Sequence, residues 1–276
     1  MRYLKLFLHI LAGLAIWLGC QILSTVSFLF PQGIISTLVS VTIQIVFTYL
    51  LLSFYCKNIL HIHIAECRIK LVVPRPLWLF CAILLPVLVS ACIFLLIPGT
   101  FSYNRLTSPQ LAEQIIVAVF ATCITASITE EMIFRGFIMK LIENRCNKIC
   151  AIIIPSIIFA AFHLIGVDIN LLGIVQLIIA GTSVGIMFSL ICYQSGSICS
   201  SAVVHGIWNL IMIGGILDIG TDPSSNAIFT YHLATHSQLM TGGPFGIESS
   251  LPAIAGYWCV IIITLLLLRS KQSPAA

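Results

Sequence analysis

Seven residues in three short stretches hold the chemistry available to this sequence. ITEEMIFRG contains Glu130, Glu131 and Arg135, FAAFH contains Phe159 and His163, and HGIWN contains His205 and Asn209. All three lie in long apolar runs, where one ionisable side chain costs about 2.5–3.5 kcal/mol on insertion scales. A lone histidine or a lone Glu–Arg pair in such a run is ordinarily packing or structural glue. A carboxylate, two imidazoles and an amide on three separate segments are harder to explain that way. At ~100° per residue, Glu131 and Arg135 lie only ~40° apart and are expected to pair. Glu130 lies ~140° from Arg135 and is offered to a different neighbour. His205 and Asn209, again four residues apart, project from one stripe. A carboxylate facing a histidine can hold a water and remove its proton, while a second histidine and an amide can donate to an oxyanion. That is equipment for hydrolysing a peptide bond. Neither a serine nucleophile elbow nor an HExxH pair is present.

The elements that must position these groups are membrane spans. Of the 276 residues, 59% are apolar and 8% charged, against about 25% charged in soluble domains, and the mean hydropathy is +1.11. This excludes a soluble globular domain. The continuous apolar runs exclude an outer-membrane barrel, whose strands alternate. The net charge of +4 is spread along the chain, so no nucleic acid partner is expected. The expected fold is an all-α polytopic bundle of about eight spans. The segments are Leu4–Phe30, Gly33–Cys56, Leu77–Ile97, Pro109–Ile142, Ile149–Ile165, Leu171–Tyr193, Ile198–Leu217 and Ser250–Leu268. The fourth would rise roughly 51 Å against a hydrocarbon core of about 30 Å, so it must tilt, protrude or break.

All but two of the 13 Lys and Arg sit at the ends or in even-numbered loops, the exceptions being Arg105 and Arg135. The positive-inside rule therefore puts both termini in the cytoplasm of a multi-pass cell-membrane protein. At ~1.5 Å per residue, Glu130, His163, Asn209 and His205 fall within about two helical turns of one depth, approached from the cytoplasmic half. The basic start followed by an apolar run reads as an uncleaved first helix, being too long for a signal peptide. The 11 cysteines lie mainly in apolar runs or beside basic segments, with no CxxC or zinc spacing, and act chiefly as small apolar side chains. His61, His63 and Glu66 raise a metal site only weakly, since a basic linker at the headgroups more often meets anionic lipid. His9 is expected to snorkel, and His232 and His236 to be solvated in an external loop spanning Asp218–Ser249, a possible lid. Gly181, Gly185 and Ser189 form a small-residue face for helix packing.

In their order on separate spans, Glu130-Glu131-x-x-x-Arg135, Phe159-x-x-x-His163 and His205-x-x-x-Asn209 resemble the three motifs of the CPBP (CAAX-protease and bacteriocin-processing, or Abi) family of intramembrane proteases, which includes the type II CAAX prenyl endopeptidases. TGGPFGIESS, before the last span, also resembles bacterial members. The resemblance implies N-terminal transmembrane helices over 1–110, a catalytic core over 111–217, and an external loop with a final helix over 218–276. It implies an endopeptidase in which Glu130 and His163 activate water, His205 and Asn209 form the oxyanion hole, and Glu131, Arg135 and Phe159 support the site. The expected partners are membrane lipid and a peptide or membrane-protein substrate, in peptide maturation or bacteriocin self-immunity. The family has been described both as metal-dependent and as glutamate-dependent and metal-free. Three zinc ligands, Glu130, His163 and His205, would consume the base and one oxyanion donor. Metal-free activation is therefore favoured, and the cofactor is left unknown. A proton-coupled transporter also buries Glu, His and Arg, but usually shows repeats or paired broken helices, which are missing here. A non-catalytic scaffold would have little need to keep every catalytic-type residue.

Overall fold

The computed structural model describes residues 2–31 and 33–270; Lys271, counted above among the basic ends, lies outside them. Among the described residues eight helices form the bundle: α1 Tyr3–Leu29, α2 Ile34–Leu60, α3 Pro76–Leu96, α4 Ser108–Glu143, α5 Lys148–Phe162, α6 Leu171–Ser195, α7 Ile198–Met212 and α8 Leu251–Ser270. Each overlaps one expected span, with ends shifted by up to a few residues. Six are long and apolar enough to cross a membrane; α5 and α7 are shorter. The chain is thus an all-α, multi-pass membrane protein.

Local chemistry sets the helix limits. Asn147, Asn170 and Ser197 cap α5, α6 and α7, each side chain accepting a backbone N–H of the first turn. Gly196, at φ 80°, ends α6 in the left-handed region, so two residues suffice to reverse the chain into α7. α5 ends before the expected Ile165 because His163 turns its ring back onto the Phe159 carbonyl, 2.8 Å away. α7 ends at Met212, well before Leu217, where Gly214 and Gly215 release the chain.

The long α4 neither breaks nor kinks at a proline. It widens instead into two π-helical stretches, Val117–Ala126 and Glu131–Ile138, which flank Glu130. π-Turns are rare and concentrate at functional sites.

A three-stranded sheet, which the sequence reading treated as loop, closes one end of the bundle. β1 (Gly99–Tyr103) and β3 (Phe229–Leu233) are antiparallel, and β2 (Leu217–Gly220) lies parallel to β3. The sheet joins the α3–α4 connection to the segment after α7. Tyr231 donates its hydroxyl to the Ile97 carbonyl, tying the sheet to the end of α3.

At the opposite end the basic linkers converge. Arg68 pairs with Glu143 at 2.6 Å, and Arg68 and Lys148 both lie over the Tyr193 ring. His63 and Glu66, weighed as metal ligands, form a reciprocal capping box on Ile64–Cys67.

Helix contacts use the small residues. A Cβ at Gly181 or Gly185 would lie 2.8 Å from the Ala160 Cβ or 2.7 Å from the Ser156 Cβ, so α6 and α5 approach closely as expected. Gly206 does the same for α7 against α4, where a Cβ would lie 2.9 Å from the Cys123 carbonyl oxygen. This approach carries His205, the preceding residue, to Glu130 and Glu131.

Candidate active site

Glu131 and Arg135 lie in the second π-helical stretch of α4 and are both fully buried. Arg135 Nη1 donates to Glu131 Oε1 at 2.8 Å, the pairing expected from spacing alone. The guanidinium carbon sits 4.3 Å from the centroid of Phe159 and 5.1 Å from that of Phe188. Among the described residues, Arg135 Nε and Nη2 meet no hydrogen-bond acceptor, and aromatic faces supply much of the cation's surroundings. Phe159 therefore links two motifs: one face meets Arg135, and its ring packs on His163 at 4.5 Å.

Glu131 also reaches His205, which sequence reasoning did not foresee. The same Oε1 lies 3.3 Å from His205 Nδ1. An ionised carboxylate only accepts, so Nδ1 carries the proton. Phe188 stacks on the imidazole at 4.7 Å, fixing its plane. The other nitrogen, Nε2, is 3.7 Å from Glu130 Oε2. His205 is thus held between two carboxylates.

His163 and Glu130 line the same cavity, but the nearest imidazole to Glu130 is that of His205, not His163 as expected. The bond from His163 to the Phe159 carbonyl fixes its tautomer: Nδ1 donates, and in the neutral ring Nε2 is free to accept. Asn209, one turn beyond His205, donates one amide hydrogen to the Thr122 carbonyl at 3.2 Å, within the first π-helical stretch of α4. The second N–H remains for another acceptor.

These groups surround a cavity of about 250 Å³ between α4, α5, α6 and α7. The rest of its wall includes Phe245 and Glu248, from the segment leading into α8, and Tyr257 of α8 itself. The segment leading into α8 thus covers the cavity on the sheet-bearing side.

Glu248 was counted at the sequence level only as a loop acid. The Tyr257 hydroxyl donates to its backbone carbonyl at 2.9 Å, and Gln176 donates to the next carbonyl, that of Ser249, at 2.8 Å. Burial raises the Glu248 carboxyl to about 7; His163 and Trp208 oppose the rise, while Glu130 reinforces it. TGGPFGIESS was its only sequence signal.

Among the described residues, no group of three or more His, Cys, Asp and Glu side chains is arranged to hold a metal ion. Glu130, His163 and His205 share the cavity without converging as a ligand set.

Residues 112–211 match the family model of the Type II CAAX prenyl endopeptidase Rce1-like proteins, an interval that contains all seven motif residues. No curated protein and no solved structure matches.

Proposed function

From residues 112–211, a domain of the type II CAAX prenyl endopeptidase Rce1-like family that makes this chain an intramembrane endopeptidase, we propose that Glu130, His163, His205 and Asn209 are its catalytic residues. The observation that carries this reading is their convergence on one cavity, with His205 oriented by the Glu131–Arg135 pair.

The substrate carbonyl sits with its oxygen toward His205 and Asn209. A water held by Glu130 and His163 Nε2 gives one proton to Glu130 as its oxygen bonds to the carbonyl carbon. The carbonyl π electrons move to oxygen, and the second Asn209 N–H stabilises that charge. With Nδ1–H committed to Glu131, His205 Nε2 donates when the ring carries its second proton. As the tetrahedral intermediate collapses, the C–N bond breaks and the amine leaves with the proton held by Glu130. The products are a carboxylic acid and an amine, and Glu130 returns to its starting form.

Glu131, Arg135 and Phe159 position the site without touching substrate. Residues 1–110 serve as supporting helices and 218–276 as the closing segment. The substrate is a peptide or membrane-protein segment, processed for maturation or in bacteriocin self-immunity. The cell membrane is the site of action, and convergence of Arg68 and Lys148 at one end supports a cytoplasmic placement for that end and both termini.

The test is cleavage of candidate peptides by purified protein in proteoliposomes, with Glu130→Gln as control. Cleavage by the wild type and its loss in the folded variant is the expected result. Substrate accumulation inside the vesicles without cleavage would identify a transporter instead.

A further inference from the structure

Glu130 borders two cavities. One is the reaction cavity; the other, about 390 Å³, lies on the far side of α4 between α1 and α2. The two differ in lining. Phe159, Phe188, Trp208 and Phe245 contribute to the first, whereas the second is the more polar of the two, with hydroxyl and amide side chains set among apolar ones. α1 supplies Gln21 and Ser27, α2 supplies Ser36, Ser40 and Gln44, and α4 supplies Thr125 and Thr129 beside Glu130.

These polar residues stand on otherwise apolar helices. Their hydroxyl hydrogens are largely spent inside their own helix: Ser36 donates to Gly33, Thr125 to Phe120 and Thr129 to Thr125. Gln44 donates to Ser40 at 3.1 Å, bracing one wall. Lone pairs thus remain on oxygens that line a space large enough for several waters. Such a lining is costly beside lipid unless it is hydrated.

Position adds the second argument. Trp17 donates to Thr129, which puts Trp17 of α1 at the level of Glu130. Leu29, at the end of α1, is 12 residues further on, or about 18 Å along the helix, and the cavity reaches Ser27 and Phe28 near that end. It therefore runs from the end of the α1–α2 pair to the carboxylate. A peptide bond bound in the reaction cavity displaces water from it, yet each turnover consumes one water molecule.

We propose that the α1–α2–α4 cavity is a water reservoir that supplies the hydrolytic water to Glu130 from behind while substrate fills the reaction cavity. This rests on the peptidase reading of Glu130. The ligand is water, held by hydroxyl and amide groups. The reservoir separates the route of water from that of the peptide.

The test is substituted-cysteine labelling in proteoliposomes. Ser40→Cys, within the cavity, is compared with Leu38→Cys on the lipid-facing side of the same helix. The probe is a permanently cationic methanethiosulfonate, and labelling at each position is read by peptide mass spectrometry, so native cysteines stay in place. Because the probe does not partition into lipid, Ser40→Cys should label at least about tenfold faster than Leu38→Cys. Its labelled form should then lose kcat with KM unchanged, relative to wild type treated identically. Equal labelling rates in a protein that cleaves peptide would overturn the reservoir alone. Fast labelling that leaves kcat intact would leave a hydrated cavity with no supply role and overturn it equally. A wild type that cleaves no peptide, with Ser40→Cys still labelled, would overturn the peptidase reading and the supply role with it.

Discussion

Replacing Arg135 by Met, Glu131 by Gln, or both separates the structural from the chemical role of the buried pair. Two unit charges 2.8 Å apart attract by about 6 kcal/mol at an effective dielectric near 20. Desolvation of two fully buried groups takes back several kcal/mol per ion, so the intact pair contributes little net stability. Removing one partner is different, since the other is left buried and uncompensated at a cost of about 3–5 kcal/mol. Arg135→Met should fall at the upper end, because Glu131 keeps only the His205 N–H. Glu131→Gln should fall at the lower end, because Phe159 and Phe188 still face the guanidinium. The double variant removes both charges and should return to within about 1–2 kcal/mol of wild type. Its activity should not return: without the carboxylate on Nδ1, His205 loses its orientation and tautomer, and cleavage should fall by about 10²–10⁴. Thermal unfolding in detergent and peptide-cleavage kinetics on the same preparations read both quantities. Arg135→Met as stable as the double variant, or a double variant with wild-type turnover, would refute the argument.

Asn209→Ala should lower kcat by about 10²–10³ with little change in KM, as expected for a donor to developing oxyanion charge; an altered KM at unchanged kcat would place Asn209 in ground-state binding instead. Glu248 holds its proton more tightly when folded, with a value of about 7 against an ordinary 4.5. Its contribution to stability is therefore fully present below about pH 4.5 and is lost as pH rises through about 7. Glu248→Gln should flatten that part of the profile of unfolding temperature against pH, and superimposable profiles would sink the prediction. Exhaustive chelation should leave peptide cleavage intact, whereas loss restored by one equivalent of zinc would show that a metal-ligand role had been missed.

The motif residues show where local reasoning reaches and where it stops. Glu131 and Arg135 are four residues apart on one helix, and their bond was legible from that spacing even though the helix is π-wound there. The bond from Glu131 to His205 spans 74 residues and depends on Gly206 admitting α7 against α4. Helical periodicity could not show it and left the partner of Glu130 open; the family resemblance set Glu130 with His163. The end of α5 was misplaced for a related reason: hydropathy continues through Ile165, but a side-chain bond from His163 stops the helix. Glu248 stayed hidden because no spacing rule connects a loop acid to a cavity whose His163 lies 85 residues earlier in the chain; Tyr257 and Gln176 pin the backbone of Glu248 and Ser249 there.

By itself the sequence determined the solvent and the elements: few charges and long apolar runs leave helices as the means to satisfy backbone groups in lipid, so the eight segments followed from hydropathy and the asymmetry of Lys and Arg. It also determined which side chains could do chemistry, because each ionisable group in such a run carries a cost that calls for a reason. Tertiary structure decided which imidazole meets which carboxylate, that the α3–α4 connection and the segment after α7 form one sheet, and that Glu130 stands between an aromatic cavity and a hydroxyl-lined one. Those outcomes depend on close approach between segments far apart in the chain, a property of the packed bundle that no local pattern encodes.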